Sequence, residues 1–169
     1  MTKVYPLTLY PDKILRQSNR TIKLEELPTK EFAQLLLDME TTMKAEDGVG
    51  LAAPQIGKNI KLTVINTADG TLALINPKIT RKSLKKEEME EGCLSLPGIF
   101  GRVKRSYKIK VTALDKNGRK VKFKASGYFA RVIQHEVDHL NGILFIDRTK
   151  DIVEGQDKLA ELRNKLANG

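Results

Sequence analysis

Hydrophobic positions along the chain follow two spacings, and the longer spacing is typical of helices. Apolar residues recur every three or four positions over Pro28–Glu46, which predicts a first helix with Thr29 as its cap. The same spacing predicts a second helix over Tyr128–Leu140 and a third over Asp157–Ala167. Between them, the glycines and small residues of Gly48–Gly57 predict an ordered loop with unusual backbone angles.

The shorter spacing alternates apolar and polar residues and predicts strands. Ile60–Asn66 and Leu72–Asn76 look like strands around a turn at Asp69 and Gly70, and Tyr107–Ala113 and Val121–Ala125 fit the alternation. Asn117 and Gly118 separate the last two runs and are a strong signal for a hairpin turn. Because the strands come in hairpins, the sequence predicts an α+β fold in which antiparallel sheets surround a central helix, with one helix towards each end of the chain.

Length and charge limit the classes of protein that fit. A chain of 169 residues suits a single domain spanning 1–169. Without an apolar run of about 18 residues, and with no apolar signal core in Met1–Pro6, we expect a cytoplasmic protein and no membrane partner. The net charge of +9 fits either a solvated basic surface or weak attraction to a polyanion such as a ribosome, whereas specific DNA binding is not expected.

Both histidines of the chain lie in one short motif, His135-Glu136-Val137-Asp138-His139, which has the form HExxH. Helical positions four apart share one face, with Cβ atoms about 5–6 Å apart. The two imidazoles can therefore converge on one metal ion, at about 2.0–2.1 Å from each ring. Glu136 would then lie close enough to act on a water molecule held by the metal.

Two side chains compete for the third ligand position that catalytic sites of this kind require. Glu161 would complete the site of a small metalloprotease, but it lies among Lys158, Arg163 and Lys165, which favours a solvated charge. Cys93, the single cysteine, lies in a glycine- and proline-containing segment. A lone cysteine is often a small buried hydrophobe, yet the unfilled metal position favours Cys93 as a thiolate ligand.

Three segments of the chain together resemble the peptide deformylase family. Gly48–Gln55, Glu91–Ser95 and Gln134–His139 match that family's GxGLAAxQ, EGCLS and QHExDH motifs in order and without mismatch. The similarity spans about Asp12–Arg148. It implies a metal-dependent hydrolase that removes the N-formyl group from the formyl-methionine of newly made peptides and releases formate.

The resemblance also implies a role for each residue of the metal site. Cys93, His135 and His139 would be the metal ligands, and Glu136 would shuttle the proton. Ferrous iron is the usual physiological metal of the family. Zinc, nickel and cobalt can occupy such sites as well, because the identity of the ligands does not choose among these ions.

Further residues would contact the substrate if the resemblance holds. The side-chain amide of Gln55 and the backbone N–H of Leu94 would hold the formyl oxygen. Four others would contact the peptide, the first two through backbone pairing and the last two around the methionine side chain: Val49, Gly50, Tyr128 and Val132. Formyl-methionyl nascent peptides are therefore the expected partner.

Several interpretations stay open from the sequence. Asp138 can orient a histidine or pair with an arginine such as Arg105, and Glu91 can brace the cysteine segment. The terminal segment Asp157–Gly169 is a candidate for docking to a ribosome. Two rival functions remain, a protease that uses Glu161 as its third ligand and a non-enzymatic RNA-associated module that would account for the net charge of +9.

Overall fold

The computed structural model describes residues 1–167. Residues 168 and 169, which end the predicted domain 1–169 and the segment considered for ribosome docking, lie outside the described residues. Among the helices in the described part, none offers the long apolar run that a bilayer crossing requires.

The three predicted helices are confirmed, with ends shifted by one or two residues. They are α1 (Lys30–Ala45), α2 (Gly127–Leu140) and α3 (Gln156–Ala167). Thr29 caps α1 as predicted, because its hydroxyl accepts a hydrogen bond of 3.2 Å from the Phe32 N–H. Ser126 holds the cap position of α2, but its side chain forms no capping hydrogen bond.

Eight strands form two antiparallel sheets in the described part of the chain. In chain order they are β1 (Gly50–Ala52), β2 (Leu62–Thr67), β3 (Gly70–Lys82), β4 (Lys86–Glu91), β5 (Phe100–Ser106), β6 (Lys108–Leu114), β7 (Lys120–Ser126) and β8 (Ile152–Glu154). The larger sheet has the order β1–β2–β3–β6–β7 and the smaller one β4–β5–β8. Neighbouring strands are antiparallel throughout, which confirms the predicted fold class.

The segment Gly48–Gly57 is more regular than a loop, so that prediction was partly wrong. It contains β1 and then a 3-10 turn over Ala53–Ile56. The unusual angles lie at its borders, where Asp47 has φ +52° and Gly57 has φ +73°. The turn ends at Gly57 because this left-handed conformation costs glycine little.

Strand β3 extends well beyond the predicted run Leu72–Asn76. The pairing with β6 shifts register between Ile75 and Lys78, and Asn76 there has φ +50°. Pro77 lies at this irregularity, where its missing N–H donor interrupts no regular ladder. The strand resumes with exposed basic residues after the bulge, a stretch that hydrophobic alternation alone does not identify.

Helix α2 is the central helix and packs against the inner face of the larger sheet. Its apolar side chains Ile133 and Val137 join a cluster with Ile109, Val111 and Ala113 of β6. Each large aliphatic side chain buried in this way stabilises the fold by roughly 1.5–3 kcal/mol. A rigid sheet therefore holds the helix that carries both histidines.

Candidate metal centre

Three candidate ligands lie together beside α2. The ligand atoms of Cys93, His135 and His139 are all within 4.8 Å of one another. Cys93 follows β4 in a short turn, and its Sγ lies 3.2 Å from Nε2 of His139. Glu161, the competing third ligand, is exposed on α3 and does not belong to this group.

The outer nitrogens of the two imidazoles differ in their contacts. Nδ1 of His135 lies 3.0 Å from a carboxylate oxygen of Glu91, which leaves its Nε2 for a metal. Among residues 1–167, Nδ1 of His139 is buried and finds no hydrogen-bond partner, whereas its Nε2 lies against the cysteine sulfur. A carboxylate on the second ring nitrogen fixes the orientation of metal-ligating histidines and strengthens them as ligands.

The two imidazoles have pKa values shifted in opposite directions. Burial lowers the pKa of His135, but hydrogen bonds to Cys93 and Glu91 outweigh burial and raise it. Burial, reinforced by the charge of His135, holds the pKa of His139 well below its usual range. Metals bind neutral imidazole and thiolate, so a cation bound by these three side chains would displace the proton of His135.

Glu91 is buried in a cluster of cations behind His135. Its carboxylate accepts hydrogen bonds from Arg105 at 2.6 Å and Arg131 at 2.7 Å. Burial raises the pKa of Glu91, but the contacts with His135 and Arg105 dominate and lower it to about 2. The carboxylate is therefore ionised at neutral pH and directs His135, which is a more specific role than bracing the cysteine segment.

Asp138 pairs with arginines, as one of the two interpretations of the sequence proposed. It accepts hydrogen bonds from Arg105 at 2.7 Å and from Arg148 at 2.6 Å. Arg105 thus bridges Asp138 and Glu91. This set of charges connects β4 and β5 to α2, and removal of one buried member would leave its partners unpaired.

Glu136 is buried with little space around its carboxylate. It is 3% exposed, and the Thr63 hydroxyl lies 3.5 Å from its Oε2. A Cβ atom at Gly50 would lie 2.5 Å from its Oε1, so a larger residue at that position would have to displace the Glu136 side chain. Burial raises the pKa of Glu136 to about 7, a value suited to a group that both accepts and donates a proton near neutral pH.

The Gln55 amide is fixed so that its NH₂ group faces the candidate ligands. Its Oε1 accepts a hydrogen bond of 2.9 Å from the Ala52 N–H. Its Nε2 therefore points towards Cys93 Sγ at 3.5 Å and the Ser95 hydroxyl at 3.2 Å. Sequence analysis assigned no role to Thr63 or Ser95, and only Ser95 carried a signal, as the last residue of the EGCLS motif.

A cleft of about 770 Å³ leads to the ligand group. It is lined by all six of the remaining residues considered for the formyl oxygen and the peptide: Gln55, Leu94, Val49, Gly50, Tyr128 and Val132. Tyr128 is 55% exposed at the rim, whereas Val132 is 8% exposed deeper in the cleft. Strand β1 is an edge strand that contributes Gly50 to the wall, so its outer side is open to an extended peptide.

A family model described as Polypeptide deformylase matches residues 4–154. The chain belongs to the peptide deformylase family. The resemblance noted in the three sequence motifs is therefore confirmed over most of the chain. All three motifs contribute residues to the wall of the same cleft.

Named relatives agree with this assignment over nearly their whole length. The chain is 44% identical to a peptide deformylase of Pelotomaculum thermopropionicum, covering 88% of this chain and 94% of that one. Among solved structures, peptide deformylase from Thermotoga maritima is 40% identical with a TM-score of 0.82, covering 87% and 98%. A Met-Ala-Ser-bound class I type b peptide deformylase from Acinetobacter baumannii is 34% identical with a TM-score of 0.84, covering 88% and 100%.

Proposed function

We propose that this chain removes the N-formyl group from peptides that begin with formyl-methionine, with a divalent metal held by Cys93, His135 and His139. The observation that carries the proposal is the convergence of these three ligand atoms within 4.8 Å at the end of a peptide-sized cleft. The family is defined by deformylation, and the Acinetobacter baumannii relative is described with the unformylated peptide Met-Ala-Ser bound.

The donor set fits a metal of intermediate softness. One thiolate and two imidazoles suit ferrous iron, zinc, nickel and cobalt, and they give the site one negative charge against the two positive charges of the ion. Nε2 of His139 lies 3.2 Å from the Cys93 sulfur. Nδ1 of the same ring has no hydrogen-bond partner within residues 1–167. We propose Fe²⁺ as the physiological ion, in keeping with the family.

The metal, when bound, supplies a Lewis acid that lowers the pKa of water and polarises the formyl carbonyl. Glu136 takes the proton from the attacking water, for which its raised pKa of about 7 is suited. The same carboxyl group then delivers that proton to the departing amine nitrogen. Formate and a free N-terminal amine are the products, and Glu136 returns to its starting state.

Two donors are proposed to stabilise the negative charge that develops on the formyl oxygen. The Gln55 amide is held by the Ala52 N–H and keeps its NH₂ group directed into the site. The backbone N–H of Leu94 follows directly after Cys93 and provides the second donor. Donors fixed before the reaction stabilise the transition state without reorganisation, and the loss of one typically costs about 10²–10³ in rate.

The rest of the cleft fits an extended peptide. The open edge of β1 at Val49 and Gly50 pairs with the substrate backbone by strand addition. Tyr128 and Val132 border the space for the methionine side chain, one at the rim and one deeper in the cleft. Pairing with the substrate backbone does not depend on the substrate's side chains. The side chain of the first substrate residue therefore determines which peptides bind selectively.

We further propose that residues 1–169 act as one catalytic domain in the cytoplasm, where formylated nascent peptides are made. Ribosome association through α3 remains a prediction. Deletion of α3 that leaves ribosome affinity unchanged in a sedimentation assay would remove it.

Metal analysis of two variants separates the deformylase from the protease alternative. We expect Cys93→Ala to lose its metal and its formate release from a formyl-Met peptide, because one of three ligands is missing. Glu161→Ala is the matched control and should keep both. A Cys93→Ala protein with full metal content, together with a metal-free Glu161→Ala protein, would overturn the proposal. The non-enzymatic alternative predicts no formate release at all, even by the metal-loaded wild type.

A further inference from the structure

Most of the excess positive charge of the molecule lies on three neighbouring strands. Strands β3, β6 and β7 carry eight lysines and arginines and no aspartate or glutamate. These basic residues are Lys78, Arg81, Lys82, Lys108, Lys110, Lys120, Lys122 and Lys124. All eight are exposed, and the formal net charge of the chain is +9. These eight exposed side chains together are called the basic face.

The arrangement of the basic face is unfavourable for the isolated protein. Lys110 lies directly opposite Lys124 on one neighbouring strand and opposite Arg81 on the other. Like charges placed directly opposite each other destabilise a sheet. Within residues 1–167, none of the eight basic side chains of the face forms an ion pair. An anionic partner outside the chain would relieve the repulsion.

A shallow groove of about 450 Å³ runs across the basic face. Its lining combines five basic residues with four others: Arg81, Lys82, Lys108, Lys110 and Lys124, and Ser83, Ile109, Ala125 and Ser126. The groove and the cleft share no lining residue, so a partner in the groove leaves the cleft open.

We propose that the basic face docks onto the phosphate backbone of an RNA double helix. Successive outward side chains on one strand are roughly 6.6–6.8 Å apart and neighbouring strands about 4.8 Å apart, so the face offers rows of cations to rows of phosphates. The basic residues of the face all lie in strands, so the face offers no helix to enter a deep groove. The wide, shallow minor groove of A-form RNA, with a phosphate row on each side, suits such a surface.

Other anionic partners fit the basic face less well. Single-stranded nucleic acid is bound by stacking on exposed aromatic rings, and the aromatic ring of these strands, Phe123, is half-buried and stacked on Phe129. The major groove of DNA is read by an inserted helix or ribbon, which this surface lacks. A membrane surface requires several apolar anchors, and Leu84 is the one fully exposed leucine beside the face in the described chain.

A pair of variants with equal charge tests the location of the RNA site. Lys110→Gln/Lys122→Gln/Lys124→Gln neutralises the centre of the face, and Lys13→Gln/Lys30→Gln/Lys150→Gln removes the same charge from exposed sites elsewhere. Binding of metal-loaded protein to a fluorescent RNA duplex is measured by anisotropy at several salt concentrations. We expect the first variant to bind at least about tenfold more weakly, with the salt slope reduced by about 3, and the control to keep most of its affinity.

Three outcomes would overturn the proposal. In the first, the two variants lose the same affinity for RNA. In the second, the protein binds a DNA duplex as tightly as the RNA duplex. In the third, it binds vesicles rich in phosphatidylserine more tightly than the RNA duplex. Folding is checked by thermal unfolding, where the face variant should be at least as stable as wild type because the repulsion at Lys110 is relieved.

The inference goes beyond the proposed activity and can fail separately from it. Neither variant touches the cleft, so formate release from a short formyl-Met peptide should be unchanged in both. RNA binding that is lost only in the face variant, without formate release by any of the proteins, would keep this inference and refute the proposed function.

Discussion

Gly50 is the residue at which the backbone approaches the candidate proton carrier most closely. An added Cβ would lie 2.5 Å from Oε1 of Glu136, so Gly50→Ala must displace that carboxylate. We expect formate release to fall by about 10²-fold, because a displacement of about 1 Å in a reacting group has that effect. Metal content should not change, since neither residue is a proposed ligand. Full activity in Gly50→Ala would contradict the proton-carrying role of Glu136 in this geometry.

Glu91 should make the stability of the metal-free protein depend on pH. Its pKa falls from 4.5 to about 2 on folding, so its stabilising contribution is present above pH 4.5 and is lost as the pH drops towards 2. The shift corresponds to about 3 kcal/mol at pH 7. We expect urea unfolding to show Glu91→Gln destabilised by about this amount at pH 7, with the gap to wild type narrowing below pH 4.5.

Glu88→Gln provides the control on the same strand. Its carboxylate is exposed and lies 3.6 Å from Lys104, an arrangement that contributes about 0–1 kcal/mol. A constant gap between wild type and Glu91→Gln from pH 7 to pH 2.5 would show that the carboxylate acts through packing alone.

The sequence was sufficient to identify the candidate metal ligands, but not the side chains that orient the groups of the site. His135 and His139 stand out through their spacing, and Cys93 through the position that two ligands leave unfilled. Thr63 lies on β2 and contacts Glu136 across 73 positions of sequence. No local pattern connects two such residues, because the contact exists only once the sheet has packed on α2.

Helix α3 packs behind the segment that presents the candidate cysteine ligand. Leu159 is 2% exposed and belongs to a cluster with Leu96 and Ile99, while Lys158 donates a hydrogen bond of 2.6 Å to the Pro97 carbonyl. We expect Leu159→Ala to lower the free energy of unfolding by about 2–5 kcal/mol and to weaken metal binding, because its removal leaves a cavity under that segment.

Leu166→Ala is the matched control on the same helix. Leu166 is 43% exposed, so its truncation should change stability by no more than about 0.5 kcal/mol. Equal losses in the two variants, with metal affinity unchanged, would show that α3 does not support the cysteine segment.

Strand β5 escaped the sequence analysis for a physical reason. Strand β5 does alternate, with Gly101, Val103 and Arg105 buried and Arg102 and Lys104 exposed. Hydrophobic patterning cannot reveal it, because a glycine and a charged arginine occupy two of the inward positions. The buried charge of Arg105 is compensated by ion pairs with Glu91 and Asp138, which come from distant parts of the chain.

At the scale of the whole molecule, the metal would connect two parts of the fold. Cys93 follows the smaller sheet, whereas His135 and His139 belong to the helix that packs on the larger one. An ion that binds only the folded chain stabilises it, by about 4 kcal/mol at a free concentration a thousand times its dissociation constant. For a chain of this size each kcal/mol shifts the midpoint of thermal unfolding by about 2–4 °C.

Removal of the metal with a chelator should therefore lower the melting temperature of the wild type by roughly 10 °C, as measured by calorimetry. Cys93→Ser is the control: with a ligand already missing, its melting temperature should respond little to chelation. Adding back zinc or ferrous iron should restore the melting temperature of the wild type to its value before chelation, whereas the melting temperature of the variant should not respond. A wild-type protein that melts at the same temperature with and without its metal would mean that the two sheets are held together by the packing on α2 alone, and that the ion serves only the chemistry.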